Sequence, residues 1–206
     1  MRRKELKKCF AAICAIALSF QCIACAPSMK QSETSDNVSE NQQINSFMDY
    51  TWGTTIDKIK KNEITSDMEE NIDYMEDTTD DSVMLTITGK EVAGYKTDIG
   101  FLFSNNGLEM GCYDLDIEDD DYTDLIEKYT AKYGAPTVEK ESTGWGPCTI
   151  WIDDNQNFIC ITDVYGIIYS TKSNSFVTNT FNDFLKEYHE IDLYEELNKI
   201  GNSDGI

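Results

Sequence analysis

From Ser82 onward the apolar residues fall at every second position, with Val83, Leu85 and Ile87 alternating against Met84, Thr86 and Thr88 until Gly89 interrupts them. That period predicts a strand with two different faces. Val92 to Phe103 predicts a second strand, and Ser104-Asn105-Asn106-Gly107 reads as a hairpin turn into a third, Leu108 to Leu115. With a two-residue loop Phe103 opposes Met110 and Phe101 opposes Cys112; with a four-residue loop Phe101 opposes Met110 and Ile99 opposes Cys112. Both place Cys112 with Ile99, Phe101 and Phe103 on the face expected to be the core. Later, Cys148 to Asp153 and Asn157 to Asp163 predict another hairpin around Asp154-Asn155, Ile167 to Lys172 a last strand, and Val138 to Lys140 a short one.

Elsewhere the period is helical. Thr54-Thr55-Ile56-Asp57 reads as a capping box opening a short helix to about Asn62, with Ile56 and Ile59 inward. Ser66-x-x-Glu69 repeats the signal, with Met68, Ile72 and Met75 at helical spacing. Asp119 to Asp121 precede Tyr122, Leu125, Ile126, Tyr129 and Tyr133, an amphipathic helix stopped by Gly134 and Pro136. Thr180-x-x-Asp183 opens a closing helix bearing Phe181, Phe184, Tyr188, Ile191, Tyr194 and Leu197. Strands joined mainly by hairpins, with helices before, between and after them, predict an α+β fold built on an antiparallel, hairpin-rich sheet. A helix followed by three strands occurs twice, which allows a faint internal duplication. The Trp-Gly pairs do not support it, since Trp52-Gly53 precedes its helix and Trp145-Gly146 follows its own.

Several of these motifs together resemble a known group. Trp52-Gly53 ahead of a short helix, the Val92 to Tyr95 strand, the Phe101-Leu102-Phe103 hairpin, the ending Tyr133-Gly134-Ala135-Pro136 and Trp151 on a strand are similar to uncharacterised lipoproteins of Gram-positive bacteria, over about residues 47–172. A weaker resemblance is to small lipoproteins of outer-membrane assembly and to β-lactamase-inhibitor-like domains. It implies a binding module with a helix layer on an antiparallel sheet, and it carries fold better than activity.

The N-terminus has a different pattern. Arg2, Arg3, Lys4, Lys7 and Lys8 precede an almost uncharged apolar run from Cys9 to Cys25. The run is too short to span a bilayer, which takes roughly 20 apolar residues. Basic residues ahead of a short apolar run and a small-residue end are the layout of an export signal. A cut after Ala26 would leave Pro27 beside the scissile bond, a poor extended substrate. The alternative resembles the lipobox of bacterial lipoproteins, with Ile23 and Ala24 before an acceptor Cys25, although Cys22 stands where that family usually has Leu. The domain reading is therefore a signal peptide over 1–24, a lipidated Cys25 with a disordered polar tether over 25–46, one domain over 47–200 and a tail over 201–206. Residues 26–46 are dominated by Ser, Gln, Asn, Glu and Asp, which bury too little surface to offset the entropy of ordering them.

Charge narrows the partners. Loss of residues 1–24 removes five basic residues and Glu5, leaving 12 Lys and Arg against 37 Asp and Glu, a net of −25. Such a surface repels phosphate backbones and anionic headgroups, so nucleic-acid binding is excluded and the membrane is reached through lipid alone.

Candidate chemistry is sparse. His189 is the single histidine, too few for a zinc site or a Ser-His-Asp system, and a surface position is expected for it. Asp114-x-Asp116-x-Glu118 and Asp153-x-Asn155-x-Asn157 alternate like calcium loops, but Asp119 and Phe158 hold their sixth positions and Leu125 and Val164 their twelfth. Neither is an EF-hand, and the carboxylates of Asp114 to Asp121 leave only weak calcium binding open. No Walker loop or dinucleotide fingerprint is present, and no cofactor or metal is expected. Of the domain's cysteines, a two-residue loop at Asp154-Asn155 sets Cys148 and Cys160 on opposite faces. Cys112 with Cys148 is then the one pairing to entertain, and buried free thiols are expected over a bridge. The expected function is a lipid-anchored, extracytoplasmic, non-catalytic binding or interaction module of the cell envelope, with sheet aromatics such as Trp151 and Tyr165 as a contact surface. The alternative is a cell-envelope hydrolase using a carboxylate pair.

Overall fold

An eight-stranded antiparallel sheet organises the chain, and its strand order shows two halves meeting at a central seam. The computed structural model describes residues 43–79, 82–92, 95–105, 107–115, 117, 119–141, 145–174 and 177–201. The expected export signal, Cys25 and the expected tether up to residue 42 lie outside the described residues, as do residues 202–206 of the tail. A two-stranded ribbon, β1 (Ser46–Phe47) and β2 (Tyr50–Thr51), leads into helix α1 (Ile56–Glu63). Then come β3 (Tyr74–Thr79), β4 (Ser82–Val92), β5 (Tyr95–Ser104) and β6 (Gly107–Asp114). Helix α2 (Asp119–Tyr133) starts the second half, followed by β7 (Val138–Lys140), β8 (Cys148–Ile152), β9 (Phe158–Thr162) and β10 (Gly166–Ser170). A π-helical turn at Val177–Phe181 leads into α3 (Asn182–His189) and α4 (Leu193–Gly201). The α+β reading holds.

Strand order β3-β4-β5-β6-β10-β9-β8-β7 makes each half a meander preceded by its helix, with the last strand of each half paired at the seam. Each half thus consists of a helix and four strands, against the three strands of the faint duplication that the sequence allowed. The fourth escaped the sequence reading because β3 is a polar edge strand, exposed from Glu76 to Thr79. Charged, exposed side chains protect such an edge from pairing with another chain. The second helix expected from Ser66 is absent: residues 66–73 form turns, Tyr74 to Thr79 pair with β4, and Ile72 is 65% exposed. Acidic residues crowd Asp67 to Asp77, and one apolar residue per turn offers too little burial to hold a helix against that repulsion.

Both faces of the sheet are core, since every residue of β8, β9 and β10 is buried. Paired residues share a face, which assigns Ile87, Leu85, Ile99, Phe101, Gly111, Tyr113, Ile167, Tyr169, Ile161, Ile159 and Trp151 to the first face. Helix α2 covers it: the Tyr122 hydroxyl lies 2.9 Å from the Thr149 hydroxyl, and the Tyr129 hydroxyl 2.6 Å from that of Tyr169. The second face carries Met84, Leu102, Met110, Cys112, Ile168, Cys160, Ile150 and Cys148. The buried Phe181, Phe184, Leu185, Leu193 and Leu197 of the C-terminal turn and helices join the same core. Tyr165 packs on Phe181 and Phe184, and the Gln156 side-chain amide donates to the Leu197 carbonyl at 2.7 Å. The single closing helix of the sequence reading is two. Glu190 turns left-handed (φ 56°), and the Asn182 side-chain oxygen accepts from the Leu193 amide at 2.7 Å, tying the start of one helix to the start of the next.

Neither expected β5–β6 register is formed. Ser104 faces Gly107 across a two-residue turn, but a bulge beyond Phe103–Leu108 sets Leu102 opposite Met110 and Gly100 opposite Cys112. Cys112 therefore points away from Phe101, and Gly111 takes the place opposite Phe101. One extra residue in a strand flips every side chain that follows it. The flip makes a socket, because the Phe47 ring lies against Gly111 so closely that a Cβ there would sit 2.0 Å from the ring carbons Cγ and Cδ1. Phe47 is fully buried, with ring centroids 5.5 Å from Phe101, 4.7 Å from Tyr113 and 5.3 Å from Tyr169.

The folded part also starts earlier than position 47. Ile44 is buried, its amide donates to the Asp153 carboxylate at 2.8 Å, and its carbonyl accepts from the Trp52 indole at 2.7 Å. Asp153, itself buried, also accepts from the Asn157 amide at 2.9 Å. Gly111→Ala should cost about 2–3 kcal/mol in denaturant unfolding through overpacking. In a Phe47→Ala background the same change should cost little, a non-additivity that equilibrium unfolding of the four proteins reads directly.

Candidate binding groove

Three separated segments enclose an open groove of about 430 Å³ at one end of the sheet. Trp52, Gly53 and Thr55 form one wall, Ser104, Asn105 and Gly107 of the β5–β6 turn another, and Thr171 and Ser173 after β10 a third, with Leu108 and Glu109 between them. Backbone hydrogen bonds hold the walls. The Gly53 amide donates to the Leu108 carbonyl and the Leu108 amide to the Thr54 carbonyl, each at 2.9 Å. The Thr171 amide donates to the Glu109 carbonyl at 2.9 Å. The Trp52 indole is half-buried with its N–H already committed to Ile44, so only its ring is left for a ligand.

The polar lining is hydroxyls, one carboxamide and one carboxylate. Thr171 and Ser173 hydroxyls pair at 2.8 Å. Thr55 caps α1 without a side-chain hydrogen bond, one residue later than the predicted box. Such a wall can hydrogen-bond a polyhydroxylated or amide-bearing ligand across an aromatic ring. Glu109 is the single carboxylate in the lining, so the groove does not hold the facing pair that glycoside hydrolysis uses. The sequence reading noticed Trp52 and the Ser104 to Gly107 turn only as structural features. Nothing in a linear pattern brings them to Thr171 and Ser173.

The residues singled out beforehand lie elsewhere. Trp151 is 2% exposed, and its indole N–H donates to the Gly134 carbonyl at 3.0 Å. Tyr165 is 8% exposed beneath the C-terminal aromatics. The contact surface of sheet aromatics is thus overturned, because helices cover both faces. Asp153 of the second calcium-like run is the clasp described above, its carboxylate accepting from the Ile44 and Asn157 amides. Of the first run, Asp116 and Glu118 lie outside the described residues, and Asp121 accepts from the Tyr95 hydroxyl. Among the described residues no three His, Cys, Asp or Glu side chains are grouped to hold a metal ion, and no helix is long and apolar enough to cross a membrane.

The cysteine reading changes as well. Cys112 cannot meet Cys148, because β10 and β9 stand between their strands. Cys148 pairs with Thr162 and Cys160 with Ile150, so these two thiols share a face after all. The β8–β9 connection is five residues long, Asp153 to Asn157, because Asp153 closes it as a side-chain and backbone turn with Asn157. That odd length moves the register by one.

His189 is not at the surface. It is fully buried at the end of α3, its ring 5.3 Å from that of Phe184, and neither ring nitrogen has a partner among the described residues. Compared with protein-family models, with curated proteins and with solved structures, the chain finds no match.

Burial holds the His189 imidazole below its ordinary value, so the neutral ring is the folded form. The unfolded chain takes up a proton near pH 6.5 while the folded one does not, so stability falls as pH drops through that value. The loss should reach up to about 1.4 kcal/mol per pH unit between pH 6.5 and the folded-state pKa. Urea unfolding at pH 7.5 and 5.5 should show it, and His189→Phe should flatten that slope if the protein folds.

Proposed function

We propose that this protein is a lipid-anchored, extracytoplasmic lipoprotein whose single domain binds a partner of the cell envelope without catalysis, through the groove at Trp52, Asn105 and Glu109. One observation supports binding above all. A groove with backbone-bonded walls presents an indole, four hydroxyl side chains, a carboxamide and only one carboxylate. The lining matches recognition of a polyhydroxylated, uncharged or cationic ligand, and the acidity of the chain disfavours an anionic one. Sugar units of envelope polymers are the nearest chemical class. The carboxylate-pair hydrolase finds less support, since Glu109 has no carboxylate facing it in the groove.

Anchoring is supported by the basic cluster, the short apolar run and the Ala24-Cys25 junction, followed by the polar stretch to Gln43. Ile44 is held by Asp153 and Trp52, so a tether from Cys25 would end beside a wall of the groove. A ligand there would be met close to the membrane side of the domain.

Two measurements test this reading. Cys25→Ser should move the protein from the membrane fraction to the soluble extracytoplasmic fraction, and a variant that stays anchored refutes lipidation. Titration of soluble N-acetylhexosamine oligosaccharides, followed by calorimetry or tryptophan fluorescence, should show saturable binding. Trp52→Phe with Asn105→Ala should weaken it about tenfold, in line with a smaller aromatic contact and the loss of one hydrogen bond. Binding that is absent, or untouched by both changes, refutes the groove.

A further inference from the structure

Cys148 and Cys160 lie on adjacent antiparallel strands, diagonal to one another in the register. Their Sγ atoms are 3.7 Å apart, at hydrogen-bond separation for a pair of thiols. Both are buried, and the structure describes the reduced form. A disulfide needs sulfurs at about 2.05 Å, so the pair closes with a movement of under 2 Å shared between two side chains and two strands. Right-handed strand twist brings one diagonal of an antiparallel pair together, which is how residues that are not directly opposed reach one another. Cys112 shares the face, but it lies opposite Ile168, which in turn lies opposite Cys160. Two strand spacings, about 9–10 Å, keep it from either thiol.

We propose that in the exported protein Cys148 and Cys160 form a disulfide that staples β8 to β9, while Cys112 takes no part in it. The inference rests on the extracytoplasmic reading above, because the cytoplasm keeps thiols reduced. In the reaction one thiolate attacks the disulfide of an envelope dithiol–disulfide oxidoreductase to give a mixed disulfide, and the second cysteine displaces that enzyme. Two S–H bonds of this chain and the S–S bond of the oxidoreductase break, one S–S bond forms here, and both protons and both electrons end on the oxidoreductase as its dithiol. Burial raises the Cys160 thiol well above its usual range and denies access to a large partner, so the exchange belongs to the newly translocated chain before the second face closes. Once the C-terminal helices are seated, the same burial shields the bond from reductants.

The bridge closes the segment from Cys148 to Cys160, which includes the Asp153 clasp that holds Ile44. The strand pair holding the start of the domain would thus also be covalently fixed.

The full chain, expressed with its own signal, is recovered from the envelope fraction, quenched in acid, denatured and alkylated before and after reduction. Peptide masses should show Cys112 labelled in both samples and Cys148 with Cys160 labelled only after reduction. Both labelled without reductant, in protein that fractionates with the envelope, overturns the staple. Recovery in the cytosol with residues 1–24 intact overturns the export reading instead. In that case the isolated chain is denatured and refolded in oxidised glutathione, where a Cys148–Cys160 peptide supports the pairing and bridges to Cys112 refute it. Cys148→Ala, Cys160→Ala and the double variant should each lose about 5–10 °C of melting temperature, with the double no worse than either single. Losses that add show two independent thiols.

Discussion

The Phe47 ring resting on the backbone of Gly111 is the contact from which the arrangement of this domain follows. A side chain at position 111 would occupy the space of the ring, and the ring is fully buried between the two halves of the sheet. It touches Phe101 from the first meander and Tyr169 from the second, with Tyr113 on the seam strand between them. One aromatic therefore joins the N-terminal ribbon, β5, β6 and β10. The bulge before Met110 makes the seat possible by turning Gly111 toward Phe47 and Cys112 away from it. A local irregularity in one hairpin decides how the β1–β2 ribbon docks and which cysteines share a face.

From that seat the groove follows. Phe47 and the Asp153 clasp hold residues 44–52 across the sheet, so Trp52 and Gly53 meet β6 at its start. Gly53 and Thr54 then exchange backbone hydrogen bonds with Leu108, and β6 carries Thr171 on its other side. The groove is the gap left where a docked terminal ribbon, a hairpin turn and the exit of the last strand converge. Its walls are backbone-bonded, so a ligand would meet a largely preformed site and lose little affinity to ordering it.

The legible part of this fold was the part written in local periods. Alternation at Val83 to Ile87, the turn at Ser104 to Gly107, and the Tyr122 to Tyr133 stripe placed a strand, a hairpin and a helix where they are found. Buried strands were recognisable, whereas β3 was not, because an edge strand wears the polar residues of a loop. Register was illegible, since both hairpins turn on a single residue. Glu109 is the extra residue in one, and the Asp153 to Asn157 turn sets the odd loop of the other. The histidine misled for a related reason. His189 looks amphipathic and surface-bound in an acidic helix, and only the second layer of helices buries it. None of the groove was readable, as it depends on residues more than 100 positions apart that share no pattern.

The meeting of β6 with β10 also has a consequence in time. A chain that emerges amino end first can form the β3 to β6 meander while residues 166–170 are still to come. During that interval β6 presents a bare hydrogen-bonding edge with Met110 and Cys112 on one side and Tyr113 on the other. Such an edge is a template for any passing strand, including the β6 or β10 of a second chain. The quiet polar border at β3 protects the finished molecule on that flank. The unfinished one has its vulnerable border in the middle, and its safety then depends on how quickly the second half arrives.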